Sequence, residues 1–186
     1  MRKVRIAWGI TGAGDYLAES IDAMERLKRS LHVTVDVLVS RNAEIVIKWY
    51  KLWDRLQSSF GRVLVERGPN QPFVAGPLQV GRYALFFVSP ATANTTAKIA
   101  HGIADSLISN CVAQAVKGGT PVYIYPVDQR PGTVATKIPG GKEIRIRTRG
   151  VDVENVNRLK AMEGITVLEH PGQIEGIVAS LLKKTT

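Results

Sequence analysis

The stretch Tyr83-Ala84-Leu85-Phe86-Phe87-Val88-Ser89-Pro90-Ala91-Thr92-Ala93-Asn94-Thr95-Thr96-Ala97-Lys98-Ile99-Ala100-His101-Gly102-Ile103-Ala104-Asp105 decides the fold. Its first six residues form an apolar run that reads as a buried strand, and the residues from Asn94 onward read as a helix. The junction between them is built from small residues, hydroxyls and one amide: Ser89, Pro90, Ala91, Thr92, Asn94 and Thr95. Small side chains let a ligand come close to the backbone, and the free N–H groups that open a helix attract an anion. No acid, base or thiolate stands among these residues, so the junction suits the polar edge of a cofactor better than a hydrolytic site.

The N-terminus repeats this logic. Val4-Arg5-Ile6-Ala7-Trp8 reads as a short strand, Gly9-Ile10-Thr11-Gly12-Ala13-Gly14 as a glycine-rich turn, and Leu17, Ile21, Met24 and Leu27 then recur at helical spacing. Strand, glycine turn and helix present backbone amides to a phosphate. The spacing Gly-x-x-Gly-x-Gly is neither the dinucleotide fingerprint nor a Walker loop with its lysine. A mononucleotide phosphate fits it better, and a plain tight connection between strand and helix is the alternative.

The remaining chain alternates in the same way. Strands are expected at 3–8, 32–39, 62–66, 83–88, 121–126, 142–149 and 165–168. Helices are expected at 14–30, 42–57, 94–117, 152–162 and 172–183, and loops at 67–80 and 127–141. Such alternation predicts an α/β fold: a three-layer sandwich with a doubly wound, mostly parallel sheet, Rossmann-like or flavodoxin-like, in a single domain over 1–186. Val33-Thr34-Val35-Asp36-Val37-Leu38-Val39 is largely apolar on both faces, as in the middle of such a sheet. Ligands of these folds bind beyond the carboxyl ends of the strands. That rule gathers 9–14, Ser40-Arg41-Asn42, 89–96 and Tyr125-Pro126-Val127-Asp128-Gln129 into one candidate site. The two long loops are candidate lids or partner contacts.

Composition narrows the class. At 186 residues, with 45% hydrophobic and 22% charged residues, the chain has enough material for one packed core. No apolar run is long enough to span a bilayer. Met1-Arg2-Lys3 leads straight into the first strand, and one cysteine, Cys111, allows no internal disulfide, so a reducing cytoplasm is the expected compartment. Cys111 lies in an apolar helical segment and reads as a buried structural thiol. The net charge of +9 favours anionic ligands or an acidic partner. Arg26, Lys28 and Arg29, and later Lys183 and Lys184, complement helix ends. The densest basic run, 142–149, places Arg145, Arg147 and Arg149 on one strand face and Ile144, Ile146 and Thr148 on the other. That face is solvated, or it docks an acidic partner or an anionic substrate. Exposed aromatics interleaved with the cations are lacking, which argues against nucleic acid. Trp49 and Trp53 share a helix face at i, i+4 and read as helix packing or subunit contact. His101 reads as a packed helix residue. No metal site is expected.

These segments are similar to the homo-oligomeric flavin-containing cysteine decarboxylase family, which includes phosphopantothenoylcysteine decarboxylase, lantibiotic-forming decarboxylases, flavin prenyltransferases and one of the two dipicolinate synthase polypeptides. The likeness rests on Gly9-Ile10-Thr11-Gly12, on Ser40 after the second strand, and on Pro90 to Thr95. That last run resembles the family's Pro-Ala-Ser-Ala-Asn-Thr box, with Thr92 in the serine place. The resemblance covers roughly residues 1–126. It implies an FMN cofactor whose phosphate is held by Thr11, Gly12 and Ser40 and whose ring lies near 90–95. Gly9, Ala13, Arg41, Ser89, Pro90, Ala91, Thr92, Asn94 and Thr95 complete the implied set. It also implies a homo-oligomer: a dimer, a trimer or an assembly of trimers.

The family's decarboxylases carry Pro-x-Met-Asn-x-x-Met after the fifth strand, whereas this chain reads Tyr125-Pro126-Val127-Asp128-Gln129-Arg130-Pro131. Their catalytic histidine has no counterpart in His32, His101 or His170. The pattern is closer to the archaeoflavoproteins and the flavin-dependent dihydromethanopterin reductases. That likeness implies an oxidoreductase passing electrons from a donor such as ferredoxin, which is acidic, to an acceptor, a pterin being one candidate. Decarboxylase, prenyltransferase or dipicolinate-synthase-like chemistry is the alternative, and a non-enzymatic flavin- or nucleotide-binding module is a second. Asp128 is the one candidate for protonating a substrate.

Overall fold

A computed structural model describes residues 3–185; Met1 and Arg2, read above as leading into the first strand, and Thr186 lie outside it, as do the side chains of Pro72, Phe73, Lys184 and Thr185. Six strands form one parallel sheet: β1 (Val4–Ile10), β2 (Val33–Val39), β3 (Arg62–Val65), β4 (Leu85–Ala91), β5 (Val122–Pro126) and β8 (Ile165–Val167). Their order across the sheet is β3-β2-β1-β4-β5-β8. The chain winds outward from β1 to β3, then returns to the other side of β1 and winds outward again. The reversal falls between β1 and β4, so the crevice beyond the ends of these two strands is where such a fold binds a ligand.

Alternating side chains divide the core into two layers. On one face Ile6, Trp8 and Ile10 of β1 and Phe87 of β4 pack with α1 (Leu17–Ser30), α2 (Arg41–Trp49), α3 (Trp53–Ser59) and α8 (Gln173–Thr185). On the other, Ala7, Leu38, Phe86 and Val88 pack with α4 (Pro72–Gln79), α5 (Ala93–Ala100), α6 (Leu107–Lys117) and Leu159 of α7 (Gly150–Lys160). Trp8 is fully buried, and its indole N–H donates to Ser89 O at 2.7 Å. That bond satisfies the ring's only polar group inside the apolar layer. Cys111 is buried in the second layer, where desolvation and the nearby Glu66 charge push its thiol up to about 12. It is a packing residue, as its surroundings in the sequence predicted.

The structure corrects several element boundaries. The expected helix 42–57 is two helices, because Lys51 takes a left-handed φ of 58° between them. Trp49 and Trp53 therefore do not share a helix face: Trp49 is exposed, and Trp53 opens α3 and packs on the core. The expected helix 94–117 also breaks. Gly102, at φ 72°, ends the first part, and the Ser106–Ser109 capping box opens the second. His101 is exposed at the end of α5 and meets Asn155 Oδ1 at 3.1 Å instead of packing within a helix. The loop 67–80 contains α4, with Pro72 at its start.

The largest correction concerns the basic run. The loop 127–141 contains β6 (Gly132–Lys137), which pairs antiparallel with β7 (Glu143–Thr148) as a two-stranded hairpin outside the main sheet. Arg149 is the N-cap of α7 rather than a strand residue.

Candidate functional site

Two segments meet at the crevice and lock together. The Thr11 N–H and hydroxyl both donate to Pro90 O, at 3.2 and 3.0 Å, and the same hydroxyl accepts from the Thr92 N–H at 2.8 Å. Thr11 is 2% exposed. Its single donor proton is committed, so its side chain is a strut between the β1 and β4 turns. Ser89 is fully buried and its hydroxyl meets that of Ser20 at 2.8 Å. The β4–β5 register slips between Val88 and Ala91, which turns the chain into α5. A Cβ on Gly9 would come within 3.0 Å of Ile108 Cδ1, so this glycine serves close packing. Gly9, Ser89, Pro90 and Ala91 shape the crevice and line neither of the two cavities that open beyond it.

Beyond this junction lie two adjoining cavities of about 320 and 410 Å³ that share Thr92 and Asn94. The smaller is a polar cup. Thr11 and Gly12 form one side, Ser40, Arg41 and Asn42 the next, and Thr95, Lys98 and Ser106 the third. Ser40 caps α2, its oxygen accepting from Ala43 N–H at 3.1 Å, and Thr92 caps α5 by accepting from Thr95 N–H at 3.1 Å. Neither the Ser40 hydroxyl nor the Thr95 hydroxyl donates to any acceptor among the described residues. The opening turns of α2 and α5 add N–H groups with no intrahelical acceptor.

Glu66 closes the cup. Its carboxylate accepts from Leu107 N–H at 2.6 Å and from Arg41 N–H at 3.1 Å, bridging the starts of α6 and α2. Lys98 reaches both oxygens of Asp105 at 2.8 Å.

The larger cavity is a slot with apolar walls. Ala13 and Tyr16 line one side, Val127 the floor, and Val134 and Ile146 of the hairpin the roof. Tyr16 precedes α1 in a left-handed conformation, at φ 57°, that costs a residue with a Cβ about 1–2 kcal/mol. Ring contacts with Tyr125 at 5.2 Å and His170 at 5.5 Å hold it there. Three charged groups face the slot: Asp15, Asp128 and Arg149. Arg149 is tied to Asp152 at 2.6 Å and holds that carboxyl below its usual range. Asp128 is half-buried and has no hydrogen bond or ion pair among the described residues. Burial, reinforced by Asp152 and Asp15, raises its carboxyl above the ordinary aspartate value. An unpartnered acid with a raised pKa in a cleft marks a functional site.

Sequence reading placed Thr11, Gly12, Ala13, Ser40, Arg41, Thr92, Asn94, Thr95 and Asp128 around this crevice, and all nine line one cavity or both. Among those it missed are Asp15, Tyr16, Val134, Ile146 and Arg149 in the slot and Glu66, Lys98, Ser106 and Ile108 in the cup. The alternation of 142–149 carried a signal for two of these, Ile146 and Arg149.

With the geometry in place, comparison with known proteins identifies the family. The Flavoprotein family model matches residues 1–183. The chain belongs to the Flavoprotein family. An uncharacterized protein of Methanocaldococcus jannaschii is 55% identical over 175 residues, covering 94% of each chain. A dihydromethanopterin reductase (acceptor) of the same organism is 33% identical, covering 92% of this chain and 94% of that one. Its alignment runs over 231 residues, more than the 186 of this chain, so the reductase contains inserted residues that this chain lacks. Among solved structures, DmrB of Burkholderia xenovorans, in complex with FMN and described as a cubic protein cage for redox transfer, superposes with a TM-score of 0.83. It is 32% identical, with 98% of this chain and 97% of that one covered.

Among the described residues no helix is long and apolar enough to cross a membrane.

Proposed function

We propose that this protein is an FMN-dependent oxidoreductase that receives electrons from a protein donor of the ferredoxin kind and passes them to an acceptor of the dihydromethanopterin class. One observation carries the reading: a polar, donor-lined cup joined to an apolar slot at the β1–β4 reversal, in a flavoprotein chain. A phosphate needs donors and a flat ring needs apolar walls. The residues present fit both, since free hydroxyls and helix-opening N–H groups line one cavity and Tyr16, Val127, Val134 and Ile146 the other.

FMN supplies the electron and hydride chemistry when bound. The chain's own residues bind, orient and protonate. Ser40, Arg41, Thr95 and the N–H groups of Gly12 and Asn42 hold the phosphate, Thr11 keeps their two turns in register, and Asn94 and Thr92 stand where cup meets slot. The slot walls exclude water from the reacting face. Reduction of an acceptor C=N bond takes a hydride on carbon and a proton on nitrogen, and the Asp128 carboxyl is the group placed to give that proton. The protein assembles as a homo-oligomer and works without a nucleic-acid or membrane partner.

Titrating FMN into flavin-free protein tests the reading. We expect stoichiometric uptake with the visible bands of oxidised flavin, bleaching by an anaerobic reductant, and their return on adding a dihydropterin. Ser40→Ala removes a cap and a phosphate donor and is expected to weaken uptake by about 1–3 kcal/mol. A protein that takes up no FMN would sink the proposal.

A further inference from the structure

The β6–β7 hairpin has two unlike faces. Val134 stands opposite Ile146 in the ladder, and both line the slot. On the reverse face Arg147 stands opposite Thr133, and Arg145 opposite Ala135. Both arginines are exposed, and their cross-strand neighbours are too small to cover them. They lie about 7 Å apart along one strand. Lys137 and Lys142 add charge at the turn end. Among the described residues no carboxylate pairs with any of these four side chains. Several arginines of the body are paired, Arg5 and Arg62 with Asp36, Arg55 with Asp22 and Glu25, and Arg149 with Asp152, while others, Arg82 and Arg158 among them, have no ion pair among the described residues. Glu143, opposite Lys137 in the ladder, shares this face without pairing, so the outer face and turn end carry four cations against one carboxylate, on the side facing away from the cavity, where they cannot contact a molecule lying in the slot.

We propose that the outer face of this hairpin, carrying Arg145 and Arg147, docks a negatively charged electron-carrier protein. This rests on the oxidoreductase reading above. An acidic partner seated there is separated from the slot by one sheet layer, on the order of 10 Å thick. Val134 and Ile146 form the slot side of that layer, about half exposed there. Charge complementarity selects the partner and speeds its encounter, and salt weakens both. A second copy of this chain is a poor occupant, because two faces of unpaired arginines repel. The hairpin is also held in place: Thr136 donates to Asp15, and Tyr50 Oη donates to Lys137 O at 3.1 Å.

The test uses the FMN-loaded protein with an acidic iron–sulfur ferredoxin as probe and a basic cytochrome c as its counterpart. Arg145→Glu/Arg147→Glu is compared with Arg82→Glu/Lys117→Glu, which makes the same charge change on exposed cations at the opposite end of the sheet. Binding is read by calorimetry and flavin bleaching by stopped flow, each at low and high salt. We expect the hairpin pair to weaken ferredoxin binding at least tenfold at low salt, to slow bleaching by ferredoxin in step, and to leave bleaching by dithionite unchanged. The control pair is expected to lose no more than threefold, and cytochrome c to bind none of the variants tightly. Equal losses in both pairs, or none in the hairpin pair, overturn the proposal. So does a changed assembly size in the hairpin pair, which would place the hairpin between copies. A duplex oligonucleotide that binds in place of ferredoxin overturns it too. Ferredoxin that fails to bind a protein holding FMN overturns the docking face and spares the oxidoreductase reading. Ferredoxin that binds a protein unable to hold FMN does the reverse.

Discussion

Asp36 and Asp128 are acids in the same sheet system, and their company differs. Asp36, midway along β2, is 8% exposed and accepts from Arg5 at 2.7 Å, Arg62 at 3.2 Å and the Tyr83 hydroxyl at 2.6 Å. The Arg5 guanidinium also lies 4.6 Å from the Tyr83 ring centroid. Asp128, beyond the end of β5, has none of this. The first acid is a joint between β1, β2 and β3, where each charge answers another. The second is left open towards a cavity. A buried acid with all its partners tells about folding, and one without them tells about chemistry.

The largest expected effect is on the joint. Asp36→Ala leaves the Tyr83 hydroxyl and the Arg5 guanidinium without their acceptor. Breaking a fully buried pair costs about 3–5 kcal/mol. Both arginines reach water, with side chains 33% and 40% exposed, so the expected loss is nearer 2–3 kcal/mol. Urea unfolding of flavin-free protein measures it, and FMN affinity is expected to stay at the wild-type value. A loss of affinity as large as the loss of stability would erase the distinction between the two acids.

Asp128→Asn tests the other side, with a smaller effect and a definite sign. Burial raises the folded-state pKa of Asp128 above its unfolded value. The folded protein then binds more protons than the unfolded chain between those two values. Stability therefore falls as pH rises from the ordinary carboxylate range, near about 4, through the raised value. The Asp128→Asn protein escapes this loss. Its melting temperature is expected to exceed that of the wild type at neutral pH, with the gap closing on acidification. Asp152, held low by Arg149, titrates in both proteins, so the difference reports Asp128 together with its coupling to Asp152. A gap that ignores pH would mean that the carboxyl is no more desolvated in the folded state than in the unfolded one.

The contrast between joint and site was partly legible in the sequence. Strands such as 33–39 and 83–88 announce themselves by apolar density, and the rule that ligands sit beyond strand ends then collected Gly12, Ser40, Thr92, Asn94 and Thr95 from three distant segments. Asp128 was visible because it lies just beyond the fifth strand. What stayed hidden depends on contacts between remote residues. Nothing local marks Lys51 as left-handed, so α2 and α3 read as one helix. The strand β6 is short and exposed except at Thr136, and only its pairing with β7 makes it a strand. Tyr16 enters the slot through ring contacts with Tyr125 and His170, which lie far from it in sequence. Thr11 was read as a phosphate ligand, and its hydroxyl proved committed to Pro90.

The smallest expected effect concerns the hairpin, which belongs to neither acid's world but roofs the slot. Tyr50 Oη holds it by a single bond to Lys137 O, and Gly14 makes room for that ring: a Cβ there would overlap it. Tyr50→Phe removes the bond and keeps the ring. An exposed neutral hydrogen bond is worth roughly 0.5–1 kcal/mol, too little to move global unfolding by much. The loss should instead appear locally, as faster amide exchange along β6 with the six-stranded sheet unchanged. Thr136→Val cuts the other tether, to Asp15, and the two substitutions together should accelerate exchange more than either alone. If exchange along β6 stays at the wild-type rate in the double variant, apolar contact through Val134 and Ile146 holds the roof. The slot would then owe its shape to burial alone.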